Sequence, residues 1–131
     1  SLVKEKYILE GIADLVVEKD GKIEIIDFKT GKRNENEKVY INQLEIYAYL
    51  IGKKYKREIK KGKLYYLGEK ENKIKEIKFT EENLNNAVKD FDKTAEKILA
   101  ENFQCFFEEE KNQCRLCWMK EFCKKETLKE E

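Results

Sequence analysis

Three charged residues lie in segments that otherwise have the apolar, β-branched character of buried strands. Asp14 lies in "GIADLVV", and Asp27 and Lys29 lie two residues apart in "IIDFKTG". Burying such charges is costly unless they are paired or bound to a metal ion. Two carboxylates can hold Mg²⁺ or Mn²⁺, and a neighbouring lysine can orient or deprotonate the water that attacks in a hydrolysis. The alternative interpretation is a hairpin edge where solvated acids form a simple ion pair with Lys29.

The cysteines form a second candidate site, in the last quarter of the chain. Cys114, Cys117 and Cys123 follow a C-x2-C-x5-C pattern, and Cys105 precedes them in the apolar segment "FQCFF". Thiolates at C-x2-C spacing can hold a zinc ion or an iron–sulfur cluster from both ends of a tight turn. A disulfide-stapled secreted domain would spread its cysteines along the chain, so their clustering predicts a reducing, cytoplasmic environment. Free thiols are the alternative, and spacing does not distinguish zinc from a cluster.

The composition excludes several other chemistries. The chain has no histidine, so an imidazole base, nucleophile or metal ligand is absent, and "KTGK" lacks the full phosphate-loop pattern. Its net charge is +1, so nucleic-acid binding would depend on a local site. The basic run at residues 53–63 is interpreted as a solvated surface, with a phosphate-contacting patch as the alternative. No apolar run is long enough to span a bilayer, so no membrane partner is expected.

The acidic residues are predicted to lie on the two strands of a hairpin. Residues 7–17 and 22–28 are rich in β-forming side chains. The dipeptide Asp20-Gly21 between them is a strong signal for a two-residue turn. The sequence therefore predicts an antiparallel pair in which Lys19 lies opposite Lys22.

That register brings the three charged side chains together. It places Asp14 opposite Asp27 and Ile12 opposite Lys29. Side chains alternate between the two faces of a strand, so the charged residues share one face. Both faces are apolar, and other elements are expected to cover both.

A helix predicted from about residue 37 to residue 54 follows the hairpin. Gln43 and Tyr47 lie one turn apart on it and therefore share a face. The helix is apolar over much of its circumference, so we expect it to be largely buried. A glutamine there needs a polar partner. Gln43 either bonds backbone in the core or reaches a phosphate or water at the site.

The second half of the chain predicts another hairpin and another helix. Residues 63–67 and 73–79 are the strands, and Thr80 caps the helix. Apolar residues at helical spacing form a stripe that is expected to pack into the core: Leu84, Ala87, Val88, Phe91, Ala95, Ile98 and Leu99. The Cys-rich tail has irregular spacing. This order of elements predicts a single α/β or α+β domain.

The segments "GIADLVV", "IIDFKTG" and "NQLEIYAYL" together resemble the PD-(D/E)XK nuclease superfamily. The resemblance spans roughly residues 7–123. It is closest to the RecB-like branch, which includes RecB and AddB helicase–nucleases and the CRISPR-associated iron–sulfur nucleases. Asp14 matches the first aspartate of that branch, and Asp27-Phe28-Lys29 matches its (D/E)-x-K element. Gln43 with Tyr47 matches its Q-x-x-x-Y element. The matches to its C-terminal cysteines are Cys114, Cys117 and Cys123.

The resemblance implies a restriction-endonuclease-like fold, in which helices flank a mixed central sheet. The implied activity is Mg²⁺- or Mn²⁺-dependent hydrolysis of DNA phosphodiester bonds, as an exonuclease. The implied setting is a helicase–nuclease or a DNA repair and recombination protein. A helicase domain or subunit is then the expected partner besides DNA.

The resemblance also implies a role for each residue of the acidic site. Asp14 and Asp27 would bind the metal ion, together with the backbone carbonyl of Phe28. Lys29 would position or activate the attacking water.

Further roles are implied for the helix and the tail. Gln43 would contact DNA or shape the site, and Tyr47 would support it. The tail cysteines would ligate a [4Fe–4S] cluster, with zinc as the alternative. The fourth ligand would be Cys105 or a cysteine upstream of this chain.

The chain departs from the family pattern at its start. Family members carry a preceding helix that commonly holds a His or Glu of the metal site. We therefore expect residues 1–103 to form a nuclease core without that helix, followed by a Cys-rich tail at 104–131. The chain is expected to be a fragment that is inactive alone. Two alternatives are a non-catalytic relative that binds DNA or braces a partner, and a zinc-ribbon-like interaction module.

Overall fold

The computed structural model of the protein describes residues 2–33, 37–102 and 112–127. The chain divides into two compact units, Ser1–Ala95 and Glu96–Glu131. The elements in chain order are β1 (Leu2–Val3), β2 (Ile8–Leu9), β3 (Leu15–Lys19), β4 (Lys22–Lys29), α1 (Glu37–Tyr55), β5 (Lys61–Tyr66), β6 (Ile74–Lys78), α2 (Glu81–Leu99), α3 (Asn112–Leu116) and α4 (Lys120–Thr127). None of the helices in these ranges combines the length and apolarity needed to cross a bilayer.

Strands β3 to β6 form one mixed sheet in the order β3-β4-β5-β6. Neighbouring strands are antiparallel except β4 and β5, which are parallel. A parallel pair needs a crossover connection, and α1 supplies it. The short strands β1 and β2 pair with each other. The predicted fold class, a mixed sheet flanked by helices, is confirmed.

The turn between β3 and β4 sets their register. Asp20 and Gly21 both have positive φ, 50° and 70°, as a type I′ turn requires. Lys19 pairs with Lys22, and Leu15 pairs with Ile26. The predicted hairpin register is therefore confirmed over the length of β3.

The predicted strand at residues 7–17 is wrong in its extent. It is interrupted after Leu9, and β3 begins only at Leu15. Ile12 is 86% exposed and has no ladder partner opposite Lys29. The interruption has a local cause, because the backbone N–H of Phe28 donates to Asp14 Oδ2 at 2.9 Å. A continued ladder would have paired that N–H with backbone, so the Asp14 side chain replaces a backbone acceptor and the strand leaves the sheet.

The core lies between one sheet face and helix α1. Its buried residues come from β4, α1, β5, β6 and the segments beside them: Ile23, Ile25, Leu44, Ala48, Ile59, Leu64, Tyr66, Ile77 and Phe79. The opposite sheet face is less covered than predicted, since Phe28 is 41% exposed. Helix α1 is likewise buried on one side only, because Val39 and Tyr55 are exposed.

Each long helix has a recognisable cap, at the start of α2 and at the end of α1. Thr80 caps α2 as predicted, since the backbone N–H of Asn83 donates to Thr80 Oγ1 at 3.2 Å. Lys56 takes a left-handed conformation after α1, and the N–H of Arg57 donates to the carbonyl of Gly52 at 3.0 Å. This is the Schellman pattern.

Several predicted bounds and burials differ from the structure. The strands of the second hairpin differ slightly from the predicted 63–67 and 73–79. Strand β5 begins earlier, at Lys61, and ends at Tyr66, and β6 covers Ile74–Lys78. The predicted α2 stripe is buried at Ala87 and Val88, whereas its later apolar residues Phe91, Ile98 and Leu99 are exposed. The tail, for which no helix or strand was predicted, contains the short helices α3 and α4.

Candidate active site

The end of β4 holds the central pair of the site. Asp27 and Lys29 lie on the face that carries the core residues Ile23 and Ile25, because strand side chains alternate. Asp27 is 4% exposed, and the side chain of Lys29 is 16% exposed. The Lys29 Nζ atom lies 2.6 Å from Asp27 Oδ2. A buried carboxylate and a partly buried ammonium therefore lie together at the C-terminal end of β4.

The buried oxygen of Asp27 is not fully satisfied. Its Oδ2 atom accepts no hydrogen bond from the described residues, because the short contact with Lys29 lacks hydrogen-bond geometry. Buried carboxylate oxygens normally accept hydrogen bonds or bind cations. Oδ2 is thus suited to a ligand role as well as to its ion pair.

Asp14 reaches the same part of β4 from the interrupted strand. Its carboxylate accepts the Phe28 N–H, so it lies beside the residue that follows Asp27. Unlike Asp27, it is exposed, and it precedes β3 instead of forming a ladder pair with Asp27 as predicted. The two carboxylates are a donor set that Mg²⁺ or Mn²⁺ favours, and the unsatisfied Asp27 oxygen fits such an ion. The described residues contain no group of three Cys, Asp or Glu side chains placed to hold a metal ion.

Helix α1 extends the site with a hydrogen-bonded relay. The Lys29 ammonium donates to Gln43 Oε1 at 3.0 Å, and Gln43 Nε2 donates to the Tyr47 hydroxyl at 2.7 Å. Gln43 and Tyr47 share a helix face, as their spacing predicts. The polar partner of Gln43 is therefore Lys29, instead of core backbone.

Two further residues lie beside these hydrogen-bonded side chains, and they were not identified from the sequence as part of the site. The Lys29 ammonium lies 4.3 Å from the centre of the Tyr40 ring. Tyr40 precedes Gln43 by three residues, so helical spacing from the Gln and Tyr pair could have found it. Gly11 packs against the Tyr47 ring, since a Cβ there would lie 2.8 Å from Tyr47 Cε1. Only the tertiary contact identifies Gly11.

A buried tyrosine beside Lys29 ties the start of α1 to the sheet. Tyr66 pairs with Lys29 across β4 and β5 and is fully buried. Its hydroxyl donates to Glu37 Oε1 at 3.3 Å, and Lys75 lies 3.5 Å from the same carboxylate. Burial, and next the charge of Glu37, raises the pKa of Tyr66. Tyr66 is therefore a neutral donor that anchors Glu37.

The tail cysteines lie around the junction of α3 and α4. Cys114 is in α3, Cys117 directly follows it, and Cys123 is in α4. The N–H of Cys117 donates to the carbonyl of Cys114 at 3.3 Å, so these two share one turn. All three are partly buried. Cys105 lies outside the described residues.

Comparison with known proteins gives one family match. The family model for the PD-(D/E)XK nuclease superfamily matches residues 3–124, which is nearly the whole chain. Among curated proteins, the search finds no match.

Proposed function

The chain belongs to the PD-(D/E)XK nuclease superfamily, and from that membership we propose that it is the catalytic module of a metal-dependent DNA nuclease. The observation that carries this proposal is the buried Asp27, whose Oδ2 accepts no hydrogen bond from the described residues and faces Lys29 at 2.6 Å. In a purely structural core, apolar residues of similar volume would serve as well or better. A hydrolytic site gives the charged pair a use.

In the proposed mechanism, Asp14, Asp27 and the backbone carbonyl of Phe28 would hold Mg²⁺ or Mn²⁺. When bound there, such an ion would supply Lewis-acid activation of the phosphodiester group. Lys29 positions the attacking water. An ammonium has three N–H donors, and one of them bonds to Gln43 Oε1. The remaining donors leave capacity for a water or phosphate oxygen.

The helix residues keep Lys29 in place. Gln43 accepts from the ammonium while its own amide N–H donates to Tyr47, which fixes the orientation of the amide. Because the amide is fixed, movement of the ammonium away from Asp27 would break its charge-assisted hydrogen bond to Gln43 Oε1. Gln43 thereby shapes the site, and Tyr47 supports it.

We further propose the finer features that the resemblance implies. The module acts as an exonuclease in a cytoplasmic helicase–nuclease or repair protein. Its residues 1–103 form the nuclease core and 104–131 the tail. Cys114, Cys117 and Cys123 ligate a [4Fe–4S] cluster or zinc, with Cys105 as a candidate fourth ligand. The C-x2-C spacing and the shared turn of Cys114 and Cys117 support this assignment.

The test is cleavage of end-labelled single- and double-stranded DNA by the full-length protein with Mg²⁺ or Mn²⁺. Asp27→Asn and Lys29→Met should each lower the rate at least about a hundredfold, since each removes a group acting in the transition state. Asp90→Asn and Lys60→Met, which alter exposed ion pairs, are matched controls and should leave the rate unchanged. Full activity of both site variants would refute the proposal. DNA binding without cleavage by the unaltered protein would indicate a non-catalytic relative.

A further inference from the structure

The position of the Lys29 ammonium is defined by three neighbours. Asp27 Oδ2 lies 2.6 Å away in the same strand, and Gln43 Oε1 lies 3.0 Å away on α1. The third neighbour is the aromatic ring of Tyr40, whose centre is 4.3 Å from Nζ. A lysine has a flexible four-carbon stem, so these contacts decide where its charge lies.

The Tyr40 ring acts on Lys29 differently from the two oxygen atoms. The face of an aromatic ring attracts a cation through its quadrupole, and the attraction increases as water is excluded. Lys29 is largely shielded from water, and Tyr40 is itself half-buried and packed against the core. The ring therefore attracts the whole ammonium electrostatically, with no need for a conventional hydrogen bond. It can fix the charge while donors stay available for water or phosphate.

We propose that Tyr40 is a positioning residue for Lys29, holding its ammonium by a cation–π contact in the geometry that hydrolysis requires. This inference rests on the proposed nuclease function. It adds a residue outside the D-x-K and Q-x-x-x-Y elements. It also assigns the interaction to the aromatic ring of Tyr40 and not to its hydroxyl group. Phenylalanine at this position should therefore function as well as tyrosine.

The first test compares Tyr40→Phe with Tyr40→Leu in the full-length nuclease with Mg²⁺. Phenylalanine should keep kcat within about twofold, whereas leucine should lower kcat about tenfold, as expected for a shielded cation–π contact. The KM for DNA should stay within about twofold in both variants, because Lys29 acts on the chemical step. Tyr49→Leu is the matched control, since Tyr49 lies on the same helix with Lys53 5.4 Å from its ring centre. Its kcat should equal that of the unaltered protein.

The second test separates the ring charge distribution from packing, because leucine also changes the shape of the core. Phenylalanine, 4-fluorophenylalanine and 3,4,5-trifluorophenylalanine at position 40 have similar shapes, but each added fluorine weakens the attraction of the ring face for a cation. We expect kcat to fall stepwise with fluorine number at a constant melting temperature. A kcat that is independent of fluorination would overturn the inference.

Failure of this inference can be distinguished from failure of the nuclease proposal. If Asp27→Asn and Lys29→Met abolish cleavage while every Tyr40 variant keeps full kcat, only the role of Tyr40 is wrong. If Asp27→Asn and Lys29→Met cleave normally, the nuclease proposal itself fails, and the role of Tyr40 fails with it.

Discussion

At the scale of single residues, the buried Asp27 and the partly buried Lys29 form an ion pair in which each charge depends on the other. Removing one partner of such a pair leaves an uncompensated charge, and this is strongly destabilising. The contact is also competitive, because Lys29 Nζ lies 2.6 Å from the oxygen that we propose as a metal ligand. Without a divalent ion, Lys29 offsets the charge of Asp27. A bound ion would have to share that carboxylate with the ammonium.

This competition predicts how Lys29 affects metal affinity. Lys29→Met should bind Mn²⁺ roughly five- to tenfold more tightly than the unaltered protein, because a like charge near the ion is removed. Isothermal titration calorimetry without DNA measures this directly and does not depend on cleavage.

The matched control is Lys63→Met, which removes a lysine paired with Glu24 at 2.7 Å. Lys63 lies on the neighbouring strand, and its loss should leave Mn²⁺ affinity unchanged. Equal or weaker Mn²⁺ binding by Lys29→Met would contradict the proposed ligand role of Asp27.

At the scale of the elements, the site depends on how closely β5 and α1 approach. Gly62 in β5 is buried, and a Cβ at this position would lie 2.8 Å from Leu44 Cδ2 on α1. It would lie 2.6 Å from Phe79 Cζ as well. Because Gly62 has no side chain, α1 can pack closely against the sheet. This close packing places Gln43 within hydrogen-bond distance of Lys29.

The close approach predicts a stability loss for Gly62→Ala. Overpacking of this kind should lower the free energy of unfolding by about 1–3 kcal/mol. Urea denaturation followed by circular dichroism measures the change. Gly31→Ala is the matched control, because a Cβ there meets no atom within 4 Å and should cost less than about 0.5 kcal/mol. Similar stability of the two variants would argue against close packing at Gly62.

At the scale of the whole molecule, the family match extends through both compact units. It covers residues 3–124 and so includes Cys114, Cys117 and Cys123. The tail is therefore part of the matched family sequence. Cys114 and Cys123 lie in the short helices α3 and α4, which are too short to be stable alone. The metal site that we propose would stabilise them by linking them.

Metal analysis of the full-length protein purified without oxygen tests the tail assignment. We expect about four irons per chain with brown absorbance for a [4Fe–4S] cluster, or one zinc without colour. Cys114→Ser and Cys117→Ser should each remove most of the bound metal, because both thiolates lie on one turn. The same measurement on Cys105→Ser shows whether that residue is the fourth ligand. A protein containing neither iron nor zinc would refute the site.

Features determined by local interactions were predictable from the sequence. The Asp20-Gly21 turn fixes the hairpin register through the backbone conformations of two adjacent residues. The shared face of Gln43 and Tyr47 follows from helical geometry alone. The resemblance to nucleases likewise depends on short motifs in order, and the family match confirms it at the superfamily level.

Only the tertiary structure decided features that depend on competition between distant groups. Asp14 lies outside the ladder because its side chain, instead of backbone, accepts the Phe28 N–H. The contact of Tyr40 with Lys29 and the parallel pairing of β4 with β5 join segments that are separate in sequence. Local propensity and periodicity carry no information about such pairings. Long-range packing decides these pairings, because it brings the two groups of each pair close together. Each group then interacts with its partner instead of with water or with another part of the backbone.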